Sequence, residues 1–381
     1  MRILLLTTGL RLGGAERQVV DLATAFVAQG HDVTIMSLTP EQEIAIPDTV
    51  QVVRLDMVKT PVSLIRTLRQ ARRWLTTWQP DVIHAHMFHA NIFARMLGAR
   101  DAIGNRLPLI CTAHSLREGG FARMLAYRLT DRACALTTHV SAEGRQAMLD
   151  RRAAPAHRIR VMPNGIDLHR FRPDAEKRRV MRERLACGPD SRLVLNVGRL
   201  VPEKAQHHLI VAFAALEQEA PTGNTLRLLV AGDGPLRAAL QARIDAQGLG
   251  SKVALLGARS DVPDLMNAAD LFVLSSKLEG LPLVVAEAMA CGLPVVATDV
   301  PGIRALLHEP AGIVPAGDIA GLTAAMGRAL AAPPDTRDSR AHIEAHFGLE
   351  QVAAQWLALY WEYARAGIQR RQAPATGPDH A

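Results

Sequence analysis

Leu195-Asn196-Val197-Gly198-Arg199-Leu200-Val201-Pro202-Glu203-Lys204 reads as a strand, a tight turn and a helix start. Its apolar run is nearly continuous, the mark of a strand covered on both faces, and it stops at a glycine. The same unit recurs from one end of the chain to the other. Strands are expected over 2–7, 32–37, 81–85, 108–112 and 134–139, then over 192–197, 226–231, 252–256, 270–275 and 294–297. Amphipathic segments such as 15–29, 204–219, 234–247 and 318–331 separate them. Such alternation predicts parallel sheets covered by helices, and two series predict two doubly wound α/β domains. The 381 residues suit two domains of about 150–200 each. The joint is expected at Pro163-Asn164-Gly165-Ile166-Asp167, where Asn-Gly supplies positive φ and Pro stiffens the entry. A last helical pattern, about 349–366, follows the second series, and the polar tail from Ala366 is expected to fray.

Composition narrows the class. With 49% hydrophobic residues each half can build a core. Cys111, Cys134, Cys187 and Cys291 are far apart with no C-x-x-C spacing, which argues against disulfide frameworks and zinc and fits a reducing cytosol. The apolar run of Met1-Arg2-Ile3-Leu4-Leu5-Leu6 is too short for a signal peptide, and no run approaches the roughly 18 residues of a membrane span. The net charge of +7 is uneven. Residues 1–170 hold 22 Lys/Arg against 14 Asp/Glu; residues 171–381 hold 22 against 23. The basic half is expected to meet an anionic membrane surface or an acidic substrate. Only 4% of residues are aromatic and no nucleic-acid signature occurs, so nucleic acid is not expected as a partner.

In the first half, Thr8-Gly9-Leu10-Arg11-Leu12-Gly13-Gly14-Ala15-Glu16 joins the first strand to the first helix. Gly13 and Gly14 let backbone approach a ligand, and the helix N-terminus offers N–H groups to an anion. The spacing is not G-x-G-x-x-G, so a dinucleotide fingerprint is absent. His84 and His86 share a strand face, with His89 nearby; no carboxylate or Cys completes a metal set, and packing is the simpler reading. His114 lies just past a buried strand, where open α/β sheets bind ligands. Pro61 to Trp78 reads as a helix with Arg66, Arg69 and Arg73 on one face and Leu64, Leu68, Trp74, Leu75 and Trp78 as apolar surface. It either lies on an anionic membrane or packs on the core with a solvated basic face.

In the second half, Arg199 and Lys204 sit where a strand end meets a helix start, an arrangement suited to a diphosphate. Ala231-Gly232-Asp233-Gly234-Pro235 reads as a turn with Pro at the first helical position. Glu279 and Glu287 flank Gly280-Leu281-Pro282-Leu283-Val284-Val285-Ala286. Glu287 in so apolar a run is costly to bury without a partner, and it is expected on the buried side of a helix that Glu279 precedes. Were the whole segment helical, eight residues would separate the two by about 12 Å of rise. Glycosidase acid–base pairs stand about 5–9.5 Å apart, so two contacts along an extended ligand fit better than one dyad. A nucleotide sugar, with ribose at one carboxylate and sugar hydroxyls at the other, is such a ligand.

Taken together these blocks resemble the retaining glycosyltransferases of the GT-B fold, family-4 type (glycosyltransferase group 1). The resemblance spans almost the whole chain. It rests on Val197–Lys204, Ala231–Pro235, Ser276–Pro282 and Glu287–Ala297 in that order, with Gly13-Gly14-Ala15-Glu16 and Asn164-Gly165-Ile166-Asp167 in support. It implies two Rossmann-like domains facing across a cleft: residues 1–170 on the acceptor side and 171–351 binding the nucleotide sugar. A C-terminal helix, about 352–381, would cross back to the first. By this similarity Arg199 and Lys204 would bind the donor diphosphate, and Glu287 the ribose. Glu279, with the amides of Gly280, Leu281 and Pro282, would hold the sugar. Gly13 and Gly14 would approach the diphosphate, Arg259 would flank the base, and His114 would line the sugar and acceptor side.

Two departures stand out. Pro301-Gly302-Ile303-Arg304-Ala305 lacks the Gly-Gly-Glu common in the family, and Ala205 replaces the usual Gly or Asn after the Lys. The reaction implied is retaining and metal-independent, with a UDP-linked sugar as co-substrate and no further cofactor. Its acceptor would be lipid-linked or a surface saccharide, and its place the cytoplasm or the inner face of the membrane. A sugar-nucleotide epimerase of similar architecture and a non-catalytic polysaccharide-assembly partner are the alternatives.

Overall fold

The computed structural model describes residues 1–100, 104–116, 120–188, 190–219, 225–307 and 310–372, with side chains through residue 364. It divides into two units. One comprises Met1–Gly165 together with the chain from Leu349 on; the other is Ile166–Gly348.

Seven strands form the first unit: β1 (Arg2–Thr7), β2 (Asp32–Ser37), β3 (Gln51–Arg54), β4 (Val82–His86), β5 (Leu109–Ala113), β6 (Leu136–His139) and β7 (Ile159–Val161). All pairs are parallel, in the order β3-β2-β1-β4-β5-β6-β7. The order reverses beside β1, the switch point at which such sheets place ligands. Helices α1 (Gly14–Ala28), α2 (Pro61–Trp78), α3 (Phe88–Leu97), α4 (Phe121–Thr130) and α5 (Ala142–Asp150) fall between the strands. Alternate residues of β1 feed opposite layers. Ile3 and Leu5 pack with Val19, Leu22 and Phe26 of α1, whereas Leu4 and Leu6 pack with Ala71 and Leu75 of α2 and Phe93 of α3.

The structure takes one of the two readings of α2 and changes one expectation at the joint. Leu64, Leu68, Trp74, Leu75 and Trp78 of α2 pack on the core, because a helix beside a sheet turns its widest apolar stripe inward. The large apolar residues that α2 leaves exposed are Val62 and Ile65. At the joint, neither Asn164 nor Gly165 has positive φ. Gly165 is needed for closeness instead: a Cβ there would stand 2.8 Å from the Leu349 Cα.

Six parallel strands build the second unit: β8 (Ser191–Val197), β9 (Thr225–Ala231), β10 (Val253–Gly257), β11 (Leu271–Leu274), β12 (Val295–Thr298) and β13 (Ile313–Val314), in the order β10-β9-β8-β11-β12-β13. Its helices are α6 (Ala175–Arg184), α7 (Gln206–Glu219), α8 (Arg237–Ala246), α9 (Val262–Ala268), α10 (Leu283–Ala290), α11 (Ile303–Leu306), α12 (Ile319–Ala331) and α13 (Arg337–Phe347). Pro235 precedes α8 by two residues and is not its first position.

The last helix, α14 (Leu349–Gln372), belongs to the first unit; residues 373–381 of the expected segment lie outside those described. Val352, Ala353, Trp356 and Tyr360 join the α1 layer, with Tyr360 edge-on to Phe26 at 5.7 Å. A buried phenol needs a partner for its hydroxyl, worth about 1–3 kcal/mol if left without one. Its partner is His84, at 2.5 Å.

Candidate functional site

In the second unit the ends of β8, β11 and β12 come together at one place. β8 leaves its sheet at Gly198, whose N–H bonds the Ala231 carbonyl, and Leu200 N–H bonds Asp233. This zipper explains the glycines of the 231–235 turn. Gly232 has φ +141, and a Cβ there would lie 2.0 Å from the Gly198 carbonyl oxygen; one at Gly234 would lie 2.5 Å from that of Leu200. The buried amide of Gln206 donates to the Arg199 carbonyl at 3.0 Å, and that of Asn196 to Val273 at 2.8 Å, so the loop's backbone is held from below.

The loop then makes a 3-10 turn at Pro202–Lys204 and reverses at Ala205 with φ +48. That left-handed conformation is costly for alanine, by about 1 kcal/mol, and is what Gly or Asn would adopt readily. Lys277 N–H bonds Glu203 and Ser275 Oγ donates to the Lys204 carbonyl, pinning the loop after β11 against it. Lys204 Nζ thereby reaches Glu279 Oε1 at 2.6 Å. Ser276 Oγ donates to the same oxygen at 2.6 Å, and Thr298 Oγ1 donates to the Ser276 carbonyl.

The pair is sheltered. The side chain of Glu279 is 10% exposed and that of Lys204 26%. Beside it, Gly280, Leu281 and Pro282 are buried and lead into α10. Among the described residues the amides of Gly280 and Leu281 have no protein acceptor, whereas Leu283 and Val285 bond back into their own turn. Arg199 is exposed, and among the described residues its guanidinium has no acidic partner. One spare cation, one buried ion pair and two unspent N–H groups make a locus suited to an oxyanion.

In the first unit the ends of β4, β5 and β6 carry four histidines. His84 bonds Tyr360 through Nδ1 and Thr112 Oγ1 through Nε2, and Thr112 continues to Thr138. His86 Nδ1 lies 3.1 Å from His114 Nε2. His139 accepts from Ser141 N–H at Nδ1 and bonds the Ser115 carbonyl through Nε2. Burial, and then the neighbouring histidines, hold His84 and His86 well below the ordinary imidazole value. The same causes push His114 down to about 3. All three are neutral at pH 7. Among the described residues no group of three or more His, Cys, Asp or Glu could hold a metal ion.

Residues 177–344 match the model of glycosyl transferases group 1, and residues 12–170 that of glycosyltransferase family 4. The D-inositol 3-phosphate glycosyltransferase of Nocardia farcinica (strain IFM 10152) is 30% identical over 334 residues, covering 79% of this chain and 72% of that protein. The chain belongs to the group 1 glycosyltransferases of family 4. The UDP-Gal:alpha-D-GlcNAc-diphosphoundecaprenol alpha-1,3-galactosyltransferase of Escherichia coli is 27% identical over 264 residues, 66% of this chain and 64% of that one. The chain spans 59% and 64% of the length of the curated relatives TuaC and EpsD of Bacillus subtilis (strain 168). Anabaena HepE in complex with UDP-glucose superposes with a TM-score of 0.79 at 21% identity over 95% of this chain and 100% of that one. That likeness speaks to the fold, GT-B, with its two Rossmann-like α/β domains.

In this family 4 glycosyltransferase, the expected residues separate into groups. Lys204, Glu279 and the amides of Gly280 and Leu281 share the locus just described, with Arg199 on the same loop as Lys204; Pro282, expected to join them, has no N–H to donate. Glu287 is half-buried on α10, not enclosed, because its helix turns Val285, Ala286, Ala288 and Met289 inward instead. Arg259 is exposed and forked onto Asp261, with bonds of 2.8 and 2.5 Å. Gly13 caps α1 in an extended conformation, φ −165, that any residue adopts. Sequence reading passed over Ser276, Thr298, Gln206 and Asn196. Ser276 lay inside a quoted motif; the polar residues Asn196 and Gln206, beside runs of apolar ones, were the available signal for the others.

Proposed function

We propose that this chain is a retaining, metal-independent glycosyltransferase that moves a sugar from a UDP-linked donor to a lipid-linked or saccharide acceptor. The observation that carries the reading is the sheltered Lys204–Glu279 pair next to the spare amides of Gly280 and Leu281, on one loop with Arg199, whose guanidinium has no acidic partner among the described residues. In support, the E. coli relative is named for a UDP-Gal donor and a diphosphoundecaprenol-linked acceptor. Negative charge grows on the diphosphate as the glycosidic bond breaks. Arg199, Lys204 and the amides stabilise it there, where preformed donors act most strongly. Glu279 positions the sugar through its hydroxyls, Glu287 meets the ribose, and His114 lines the acceptor side. The acceptor hydroxyl attacks from the departing face, and a phosphate oxygen takes its proton, so no covalent protein intermediate forms.

The test is a thermal-shift panel of nucleotide sugars followed by transfer assays on the stabilising donors, with product configuration read by NMR. A UDP-sugar should raise the melting temperature, and transfer should keep the anomeric configuration and survive EDTA. Inverted product, or activity lost with EDTA and restored by metal, would overturn the mechanism.

An anionic membrane surface is the proposed setting. Val62 and Ile65 on α2 are 78% and 52% exposed, next to Arg66, Arg69 and Arg73. Phe121, Leu125 and Leu129 of α4 recur at helical spacing, and two of them are more than 70% exposed. No described helix is long and apolar enough to cross a membrane. Co-sedimentation with anionic but not neutral liposomes is expected, weakened by Phe121→Ser with Leu129→Ser; equal binding to both liposomes would reject the setting.

A further inference from the structure

We infer that the first unit carries a second anion site, an arginine-lined pocket that takes a phosphate group with its full monoester charge. It lies where Asp131–Ala133 leads into β6 and Ala156–Arg158 leads into β7. These are the N-terminal ends of the strands; the histidines stand at or just past the C-terminal ends of β4, β5 and β6. The inference does not draw on the roles proposed for Arg199, Lys204 or Glu279.

The pocket is open and has a volume of about 520 Å³. Arg128, Arg132, Arg152 and Arg158 line it, and among its described lining residues Asp131 is the sole acid. Asp131 is committed to Arg158. Among the described residues no acidic side chain pairs with Arg128, Arg132 or Arg152. Arg158 keeps a buried Nε with no acceptor among the described residues. Arg106 Nη1 donates to the Arg132 carbonyl, which brings a further guanidinium to the rim. At the same end of α4, Arg95 is 4% exposed and bonds the Tyr127 carbonyl and the Thr130 hydroxyl, again with no acidic partner among the described residues.

Charge decides what such a pocket holds. Arginines at helix ends have an ordinary use, because a helix C-terminus carries roughly half a negative charge. Arg128 is in the last turn of α4, and Arg152 follows the end of α5. Two helix ends together with Asp131 offset about two of the four positive charges. About two remain, over a floor that includes the buried Ala153 and Ala154, where apolar surface screens them little. A phosphate monoester brings about −1.5 to −2 at neutral pH and three acceptor oxygens for forked donors. A single carboxylate would leave about half of the excess unmet.

The backbone points the same way. α5 ends in a left-handed turn: Ala153 N–H bonds the Met148 carbonyl, Arg152 N–H bonds that of Leu149, and Arg152 has φ +52. Glycine is the usual residue at that place, because the conformation strains any residue with a Cβ. Here an arginine holds it, and its side chain lines the pocket. Ending the helix gives no reason for that choice; a cation required at that spot does. Two sources of the phosphate fit. One is the headgroup of an anionic lipid, since the exposed Leu129 of α4 adjoins Arg128. The other is a soluble phosphate ester.

The test is calorimetric titration of the full chain with inorganic phosphate at fixed ionic strength. The unaltered chain and Lys204→Ala should both bind phosphate at a site whose affinity falls about 10-fold or more in Arg128→Gln with Arg152→Gln. Both arginines are exposed, so the double variant should fold. Arg152→Gly should weaken phosphate as well without lowering the melting temperature, because glycine takes the left-handed turn freely. Phosphatidylcholine vesicles carrying phosphatidic acid or, at equal surface charge, phosphatidylglycerol separate the two sources. Stronger recruitment by phosphatidic acid, relieved by inorganic phosphate, assigns the lipid headgroup; equal recruitment by the two assigns the soluble ester. Phosphate affinity that is the same in the unaltered chain and in the arginine variants would overturn the site and leave these arginines as partners of the helix ends alone.

Discussion

Acidification from pH 7 to pH 5 is expected to lower the stability of the first unit by about 2 kcal/mol or more. The source is the trio His84, His86 and His114. Each is neutral in the fold, with its pKa depressed by burial and then by its histidine neighbours, to about 3 for His114. In the unfolded chain each takes up a proton near pH 6.5. Below that value the unfolded state binds more protons than the folded one, so stability falls as pH falls. It is unaffected above about pH 7.5. His114, with its folded pKa at about 3, contributes about 2 kcal/mol over these two units, and His84 and His86 add to the loss in the same direction. Domains of this size hold about 5–15 kcal/mol in all, so a loss of this size is a measurable fraction of the total. All four tryptophans, Trp74, Trp78, Trp356 and Trp361, lie in this unit, so their fluorescence follows it alone. Urea titrations at pH 7, 6 and 5 supply the measurement. A loss under about 1 kcal/mol would mean that the three imidazoles titrate as free ones do.

The architecture was legible where the chain repeats a strong signal. Runs such as Leu193–Leu195 and Leu271–Leu274 are apolar without a break because both faces of a central strand are covered. Three of the four edge strands gave no such signal. Gln51–Arg54 and Ile159–Val161 lie half in water and mix charged with apolar residues, and Ile313–Val314 is two residues long. A period-two rule has nothing to count there. Of the site, the pieces adjacent in sequence could be read: an Arg and a Lys at a strand end, and a carboxylate before a helix. What could not be read was pairing across distance. Lys204 and Glu279 are 75 residues apart and His84 and Tyr360 are 276 apart; the first pair is made by β8 lying beside β11 and the second by α14 packing in the first unit, not by spacing. The orientation of α2 escaped for a related reason: a helix that is apolar on one side and basic on the other has the same pattern whether its partner is a sheet or a lipid surface.

Lys204→Ala is expected to weaken UDP-sugar binding and turnover together, by about 10²–10³-fold in kcat/KM. Two losses combine. The cation proposed to meet the diphosphate is gone, and Glu279 keeps a charge sheltered from water with only the Ser276 hydroxyl on it. Leaving one partner of a sheltered pair uncompensated is itself costly. The bare carboxylate would also repel the incoming diphosphate. This gives the double variant a distinctive sign. Adding Glu279→Gln to Lys204→Ala removes the repelling charge, so the pair of changes should bind UDP more tightly than Lys204→Ala alone. The coupling energy would then be of the order of 1–3 kcal/mol. Glu279→Gln by itself keeps a neutral acceptor for Lys204 and Ser276, so UDP affinity should hold while kcat falls through lost hold on the sugar hydroxyls. Calorimetric UDP affinities of the four proteins, with kcat for each, close the cycle. Simple additivity, or a Glu279→Gln protein with undiminished turnover, would mean that the ion pair only braces the loop and that the diphosphate is held elsewhere.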